Sequence, residues 1–147
     1  MKHVFAVIAG LIIGGVVNMG LIMASGKVIP PPAGVDVTNM ESLKESMHLF
    51  APRHFIIPFL AHALGTLVGA LVASKLATSH NMGFAFGIGA VFMIGGVVNA
   101  CMLPAPVWFI VLDLVGAYIP MAWCGGKLAT MKRNVGERRM MEGEKLR

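Results

Sequence analysis

Apolar residues occur along this chain in long blocks separated by short polar segments, and four of the blocks have the length of a membrane-spanning helix. A helix needs about 20 apolar residues to cross roughly 30 Å of hydrocarbon. The pattern therefore predicts an all-α integral membrane protein with four transmembrane helices. The predicted spans cover about 4–25, 55–74, 83–103 and 107–126.

The first block has one alternative interpretation, a secretory signal peptide. Lys2 supplies a basic start, and the small residues Ala24, Ser25 and Gly26 resemble a cleavage site. The apolar core of a signal peptide is about 7–15 residues long. The block from Val4 to Ser25 is longer, so we interpret it as a membrane helix.

A short segment, Pro104 to Pro106, is all that separates the third and fourth spans. Proline fixes its own φ angle and lacks a backbone N–H, so it ends helices and favours turns. The third and fourth spans are therefore predicted to form a tight antiparallel hairpin.

The longest segment outside the spans is the loop of residues 26–54. Its three consecutive prolines at 30–32 favour an extended polyproline II conformation. Thr38 and Glu41 have the spacing of a helix capping box. Apolar residues then recur at helical intervals, which predicts a short amphipathic helix of about three turns ending before Pro52. These apolar residues are Met40, Leu43, Met47 and Phe50.

Basic residues concentrate on one side of the predicted topology. Lys2 precedes the first span, Lys75 closes the second, and the tail 127–147 holds more basic residues than glutamates. The loop 26–54 balances its acidic and basic residues. Because cytoplasmic loops are enriched in lysine and arginine, both termini are predicted to be cytoplasmic and the loop helix exoplasmic, in a plasma (inner) membrane.

The composition supports a membrane protein and excludes most soluble classes. Of the 147 residues, 56% are hydrophobic and 13% are charged, and the mean hydropathy is +0.77. A soluble domain usually carries about a quarter charged residues. The net charge of +5 comes without a nucleic-acid motif, so no nucleic-acid partner is expected. The basic tail either lies on anionic lipid headgroups or is solvated.

A six-residue sequence occurs twice, once in the first span and once in the third. Residues 13–18 and 94–99 both read Ile-Gly-Gly-Val-Val-Asn. The second and fourth spans match more weakly, through His62 and Asp113. The simplest interpretation is two helical hairpins in parallel orientation, related by a pseudo-two-fold axis along the membrane normal. The alternative is coincidence within a restricted apolar alphabet.

Glycines recur four positions apart in the first two spans, as Gly10 and Gly14 and as Gly65 and Gly69. This spacing lets helix backbones approach closely in a membrane. The glycines therefore predict packing faces within a compact bundle or a homo-oligomer, and they specify no chemistry.

Four polar side chains, one in each span, fall in the same outer part of the membrane. His62 and Asp113 are the ionisable residues well inside the spans, roughly 10 Å from the exoplasmic ends at about 1.5 Å per residue. A charged group near the bilayer centre costs roughly 3 kcal/mol, so its presence needs an explanation. The candidate binding or proton-exchange residues are His62, Asp113, Asn18 and Asn99.

Two interpretations of this polar layer remain open. In the first, His62 and Asp113 share a proton that titrates near neutral pH, and the asparagines hold water, a cation or a small polar solute beside them. Kinks at Pro58 and Pro120 then open a cavity. In the second, the four side chains only satisfy one another between helices, at about 0.6 kcal/mol each.

The sequence has no recognisable enzyme motif. It has no Walker loop, nucleophile elbow, zinc-protease motif or Cys-x-x-Cys pair. Cys101 and Cys124 are predicted near opposite membrane surfaces, too far apart for a disulfide. No cofactor, metal site or catalytic residue is expected. Tyr118, like Trp108 and Trp123, is interpreted as an interface anchor or a packing residue.

Together these patterns predict one four-helix membrane domain, residues 1–126, followed by the basic cytoplasmic tail, residues 127–147. The leading hypothesis is a protein that transports or senses an ion or small polar solute at the polar layer, as a homo-oligomer in the lipid bilayer. The alternative is a non-catalytic membrane partner or assembly subunit. A membrane enzyme with Asp113 and His62 as acid and base is a third hypothesis.

Overall fold

The computed structural model describes residues 2–77 and 81–131, and within these ranges it contains helices and no strand. Two short 3-10 turns, Met47–Leu49 and Pro52–Phe55, interrupt the loop between the first two long helices. The helices are α1 (Lys2–Val28), α2 (Met40–Ser46), α3 (Ile56–Leu76), α4 (Asn81–Met102), α5 (Val107–Gly116) and α6 (119–131).

Four helical stretches are long and apolar enough to cross a membrane, which confirms the prediction of four spans. Large apolar side chains such as Phe5, Ile12 and Val16 are exposed on the outside, and many of the buried residues are alanine or glycine. Membrane bundles have this distribution, because small residues let helices approach while lipid solvates the large ones. The chain is a multi-pass membrane protein. The four stretches are Lys2–Val28, Pro52–Leu76, Asn81–Met102 and Val107–Met131.

Helix α1 packs against α3 through glycine. A Cβ on Gly14 would lie 2.6 Å from the carbonyl oxygen of Gly65, and one on Gly10 would lie 2.7 Å from that of Gly69. Backbone therefore meets backbone along this contact, with no room for a side chain. The predicted packing role of these four glycines is confirmed.

We call the end of the bundle where α1 begins and α6 finishes the terminal end, and the opposite end, with residues 29–55 and 103–106, the loop end. All four spans meet in the terminal half. Val7 and Leu11 of α1 pack there on a buried cluster from the other three spans. The cluster consists of Ala70, Ala73, Ala85, Ile88 and Ala122. The terminal half is therefore closed by close packing.

The last span is broken near its middle. Helix α5 ends at Gly116, the backbone bends at residues 117–118, and α6 follows. Pro120 has no N–H to donate to the carbonyl of Gly116 and its ring crowds the preceding turn, so a break is expected there. The predicted kink at Pro120 is confirmed. Pro58, however, lies in the first turn of α3, where a missing N–H costs nothing, and α3 is continuous across it.

The loop contains the predicted short helix with a different cap. The Asn39 side chain accepts hydrogen bonds from the backbone N–H groups of Glu41 and Ser42, so Asn39 is the N-cap of α2. The capping box predicted from Thr38 and Glu41 is wrong, because the Thr38 hydroxyl donates instead to Asp36. Helix α2 is also shorter than expected, since the chain continues beyond it as a 3-10 turn.

The connection between α3 and α4 is tied by two buried hydrogen bonds. Ser74 Oγ donates to the carbonyl of Asn81 at 2.9 Å, and Asn81 Nδ2 donates to the carbonyl of Ser74 at 2.7 Å. The last turn of α3 is thereby joined to the first residue of α4. The basic tail beyond residue 131 lies outside the described residues, and its contact with lipid stays a prediction.

Candidate functional site

His62 of α3 and Asp113 of α5 are in direct contact. His62 Nδ1 lies 2.8 Å from Oδ1 and 2.9 Å from Oδ2 of Asp113. Asp113 is 5% exposed, so its carboxyl group needs polar partners inside the bundle. With the carboxyl ionised, Nδ1 carries the proton and donates to it. The structure therefore brings together the two ionisable residues that the sequence placed at one depth.

Tyr118 is a third member of this cluster, and it is not among the site residues predicted from the sequence. Its hydroxyl donates to Oδ2 of Asp113 at 2.9 Å, and its ring is stacked against that of His62 with centroids 5.8 Å apart. Tyr118 is 2% exposed, so it is a packing residue, as interpreted, and not an interface anchor. We call His62, Asp113 and Tyr118 the carboxylate cluster.

The break in the last span explains how Tyr118 reaches Asp113. In an unbroken helix, residues five positions apart point in different directions, because neighbours on one face are three or four apart. The bend at residues 117–118 changes that relation and lets the hydroxyl bond the carboxylate. The signal in the sequence was the position of Tyr118 two residues before Pro120.

The carboxylate cluster borders a cavity of about 600 Å³ in the loop half of the bundle. The polar side chains deepest in it, which we call the floor, lie at the level of Asn18 and Asp113. Apolar side chains from all four spans form the walls, and Met40, Leu43 and Met47 of the loop line the cavity at the loop end. The floor residues are Asn18, His62, Asn99, Asp113 and Tyr118.

The two asparagines of the predicted layer line this cavity from α1 and α4. Asn18 packs against Gly65, which lies one turn from His62. The contact is close, since a Cβ on Gly65 would lie 2.8 Å from the Cβ of Asn18. The Oδ1 atom of Asn18 is buried and accepts no hydrogen bond within the described residues. Asn99 is exposed. The structure thus gathers all four predicted residues around one cavity, but it pairs only His62 with Asp113.

The second ring nitrogen of His62 is left without a protein partner. Both hydrogen bonds of the His62 side chain go from Nδ1 to Asp113, and no described residue bonds Nε2. An imidazole held by a carboxylate through one nitrogen presents the other to a ligand or to water. Nε2 is therefore the one ring nitrogen of the cluster without a hydrogen-bond partner among the described residues.

Within residues 2–77 and 81–131, no lysine, arginine or glutamate lines the cavity. Its titratable lining residues are His54, His62, Asp113 and Tyr118. His54 lies nearer the loop end, where its Nδ1 accepts a hydrogen bond from the backbone N–H of Ala51 at 2.9 Å. Aromatic rings make up part of the wall. These rings belong to Phe50, Phe55, Phe92 and Phe109.

The described residues contain no group of three or more His, Cys, Asp or Glu side chains placed to hold a metal ion. Cys101 and Cys124 are free thiols. The chain matches no protein-family model, and comparison with the curated proteins and with the solved structures finds no match. The cavity and its floor are therefore the features from which a function can be inferred.

Proposed function

We propose that this chain binds a small solute in the cavity and transports or senses it, with His62 and Asp113 as a proton-exchanging pair. The observation that carries the proposal is the free Nε2 of His62 beside a cavity of about 600 Å³. Cavities of roughly 300–1,000 Å³ with apolar walls and a few polar groups are typical small-molecule sites. A cluster that served only to join helices would not need to border such a space.

The distribution of polar groups favours a solute with one polar end. The carboxylate cluster and the two asparagines lie at the floor, whereas the walls are largely hydrocarbon and aromatic rings. A fully polar solute would lose hydrogen bonds to water along the walls without recovering them. We therefore propose an amphipathic solute, whose polar end contacts the floor.

The alternative function is a non-catalytic partner or assembly subunit in which the polar residues act as interhelical glue. One observation favours it: the His62–Asp113 contact joins α3 to α5 directly. Removing either side chain would then weaken the bundle and nothing else. The two functions are separated by asking whether a conservative change in the cluster removes solute movement from a bundle that still assembles.

We also propose an orientation for the cavity. By the distribution of basic residues both termini are cytoplasmic, so the loop end, α2 and the part of the cavity that the loop lines are exoplasmic, and the membrane is a plasma (inner) membrane. The two parallel hairpins and a homo-oligomer belong to this proposal. Gly15 and Gly87 support an oligomer, because no described atom lies within 4 Å of a Cβ built on them.

The function is tested in proteoliposomes. Wild-type protein and Asp113→Asn receive inward gradients of small amines, alcohols, carboxylates, sugars and inorganic ions, while internal pH and solute content are followed. The matched control is Thr130→Val, because the Thr130 hydroxyl bonds only backbone carbonyls of its own helix, far from the cavity. We expect at least one solute to move with a pH change in wild type and Thr130→Val, and not in Asp113→Asn.

Two results contradict transport with His62 and Asp113 as the proton-exchanging pair. If no solute moves in any of the three proteins, the cavity is not a transport site. If Asp113→Asn moves solutes as wild type does, the carboxylate cluster has no part in transport. If Asp113→Asn fails to assemble as a folded bundle, the glue function is the better explanation, and Tyr118→Phe is then used as the milder cluster variant.

The orientation is tested by cysteine labelling in intact cells. Cys101 and Cys124 are replaced by serine, and a single cysteine is introduced by Glu45→Cys in α2 or by Thr130→Cys in α6. An impermeant maleimide is expected to label position 45 and not position 130. The reverse result would place the loop end in the cytoplasm.

A further inference from the structure

We infer that the solute is a small amphipathic amine, an apolar or aromatic body that carries one protonated amino group. This inference rests on the proposed function and adds the chemical class of the ligand. Three features of the cavity point to it: the sign of its charge, the hydrogen-bonding groups at its floor, and the aromatic rings in its wall.

The charge at the floor is negative whenever His62 is neutral. Among the described residues, Asp113 is the only acidic residue that lines the cavity, and no lysine or arginine of this part of the chain lines it. Tyr118 and His62 donate hydrogen bonds to the carboxylate, but neither brings a permanent positive charge. A ligand with a positive end restores neutrality inside the membrane, where an uncompensated charge is costly. An anionic ligand would place a second negative charge beside the carboxylate of Asp113 and would be repelled.

The free groups at the floor can accept hydrogen bonds. With Nδ1 of His62 donating to Asp113, Nε2 of the neutral ring is an acceptor. The exposed carboxamide of Asn99 lines the same cavity and adds an acceptor oxygen, whereas Oδ1 of Asn18 is buried and out of reach of a ligand. An ammonium group has up to three N–H donors and no acceptor. A primary amine therefore matches this floor better than a quaternary ammonium, which has no donor.

The walls match the remainder of such a ligand. Phe92 lines the cavity and also packs against the buried cluster of Ala63, Ala117 and Tyr118. Three further aromatic residues line the cavity toward the loop end, namely Phe50, Phe55 and Phe109. Aromatic faces attract cations electrostatically as well as burying apolar surface. A bare inorganic cation would gain the charge contact but leave the apolar volume unfilled.

Binding of the ammonium exchanges one proton. An empty site is neutral when His62 is an imidazolium paired with the carboxylate of Asp113. When the ammonium binds, it replaces the imidazolium as the positive partner of the carboxylate. His62 then releases the proton on Nε2 to water and becomes neutral. The titratable groups facing His62 are Asp113 and Tyr118 of the last span. The residues that α1 and α4 contribute to the cavity are not titratable, and His54 lies nearer the loop end. Charge is conserved because one cation enters as one proton leaves.

The inference is tested with ligands that share one body. Binding of 2-phenylethylamine, its N,N,N-trimethyl derivative, 2-phenylethanol and phenylacetate to detergent-solubilised full-length protein is measured by isothermal titration calorimetry, with empty micelles as the blank. We expect the primary amine to bind at least about tenfold more tightly than the alcohol and the quaternary compound. The carboxylate is expected to bind most weakly. Titrations in two buffers of different ionisation enthalpy are expected to show release of about one proton.

Variants connect the selectivity to the floor. Asp113→Asn is expected to reduce the preference for amine over alcohol to less than about threefold, whereas Thr130→Val keeps the wild-type ratio. Since the four-ligand comparison in wild type needs no variant, the test holds even if Asp113→Asn does not fold. Equal binding of the alcohol and the amine, tighter binding of the carboxylate, or amine binding without proton release overturns the inference.

Failure of this inference and failure of the proposed function give different results. If 2-phenylethanol or phenylacetate binds and the amine does not, the cavity is a solute site of another class. If the proteoliposome panel shows movement of alcohols, sugars or carboxylates only, the amine is excluded while the transport function stands. If no solute moves and none of the four ligands binds, both proposals are wrong.

Discussion

The ring of Tyr118 occupies the space that a side chain on Gly96 would need. A Cβ built on Gly96 would lie 2.6 Å from Cζ and 2.8 Å from Cε2 of Tyr118, and it would also collide with the hydroxyl oxygen. The same hydroxyl holds the carboxylate of Asp113. The glycine in α4 therefore determines whether the tyrosine of the last span can reach the aspartate.

Replacing Gly96 by alanine is expected to disrupt the carboxylate cluster. The new methyl group must displace the Tyr118 ring, and overpacking of this kind costs about 1–3 kcal/mol. The matched control is Gly95→Ala, because no described atom lies within 4 Å of a Cβ at position 95. The free energies of unfolding of both variants are measured in mixed micelles. Equal stability of the two variants would contradict the described position of Tyr118.

The neighbouring glycines of α1 allow the same comparison at a second contact. A Cβ on Gly14 would meet the backbone of Gly65 and Gly69, whereas Gly15 has open space. Backbone atoms cannot rotate away as a side chain can, so Gly14→Ala is expected to lose about 1–3 kcal/mol of unfolding free energy. Gly15→Ala is expected to lose little, because its methyl group meets no described atom. A larger loss in Gly15→Ala than in Gly14→Ala would mean that α1 packs on α3 through another face.

Tyr118→Phe is expected to weaken the cluster without removing it. The change deletes one hydrogen bond to the carboxylate and leaves the ring in place. We therefore expect the free energy of unfolding to fall by about 1 kcal/mol. A double-mutant cycle with Asp113→Asn measures the coupling between the two side chains. The losses of unfolding free energy in the two single variants are expected to sum to more than the loss in the double variant. Simple additivity would show that the hydroxyl and the carboxyl group do not interact.

The cap of α2 gives a prediction about the loop end of the cavity. Asn39→Ala removes the acceptor for the N–H groups of Glu41 and Ser42 and is expected to cost about 1 kcal/mol of local stability. Asn39→Asp keeps an acceptor and serves as the control. Amide hydrogen exchange of residues 40–46 is the measurement. Faster amide exchange after Thr38→Ala than after Asn39→Ala would support the capping box predicted from the sequence.

The pKa of Asp36, in the loop, is lowered from its ordinary value of 3.8, first because the Thr38 hydroxyl donates to the carboxylate. A lowered pKa means that the folded loop favours the ionised form. The contribution to stability is therefore present above about pH 3.8 and is lost as the pH falls through the lowered folded value. Thr38→Val is expected to raise the pKa of Asp36 toward its ordinary value, as measured by carboxyl carbon NMR titration. An unchanged pKa would contradict the hydrogen bond.

Much of the fold follows from the sequence because membrane helices obey simple constraints. An apolar block of about 20 residues has few alternatives to a transmembrane helix, and glycines four apart indicate a close contact. The cap of α2 was harder, because Thr38 and Asn39 are both good N-cap residues and only the hydrogen bond from Thr38 to Asp36 decides between them.

The candidate site was found in part by the same reasoning. His62 and Asp113 stand out because ionisable residues inside spans are rare. Tyr118 does not stand out, since tyrosine is common in membrane helices and its contact with Asp113 requires the bend that Pro120 introduces. The apolar walls also could not be read from the sequence, because they depend on how far the spans separate in the loop half.

The repeated sequence does not carry equivalent packing in its two copies. Gly14, the first glycine of the pair in α1, is the one packed against α3, while in α4 it is the second, Gly96, that is packed against Tyr118. A shift of one residue turns a helix face by about 100°. The arrangement of two parallel hairpins related by a pseudo-two-fold axis therefore stays a prediction.

The break after Gly116 also has an electrostatic consequence. Two short helices replace one long one, and each has its own dipole with a partial negative charge at its C-terminus. The C-terminus of α5 is three residues beyond Asp113, within the membrane and not at its surface. The carbonyl of Gly116 lacks the N–H that residue 120 would otherwise donate. The break thus brings two partial charges of opposite sign together inside the membrane, the negative C-terminus of α5 and the positive N-terminus of α6.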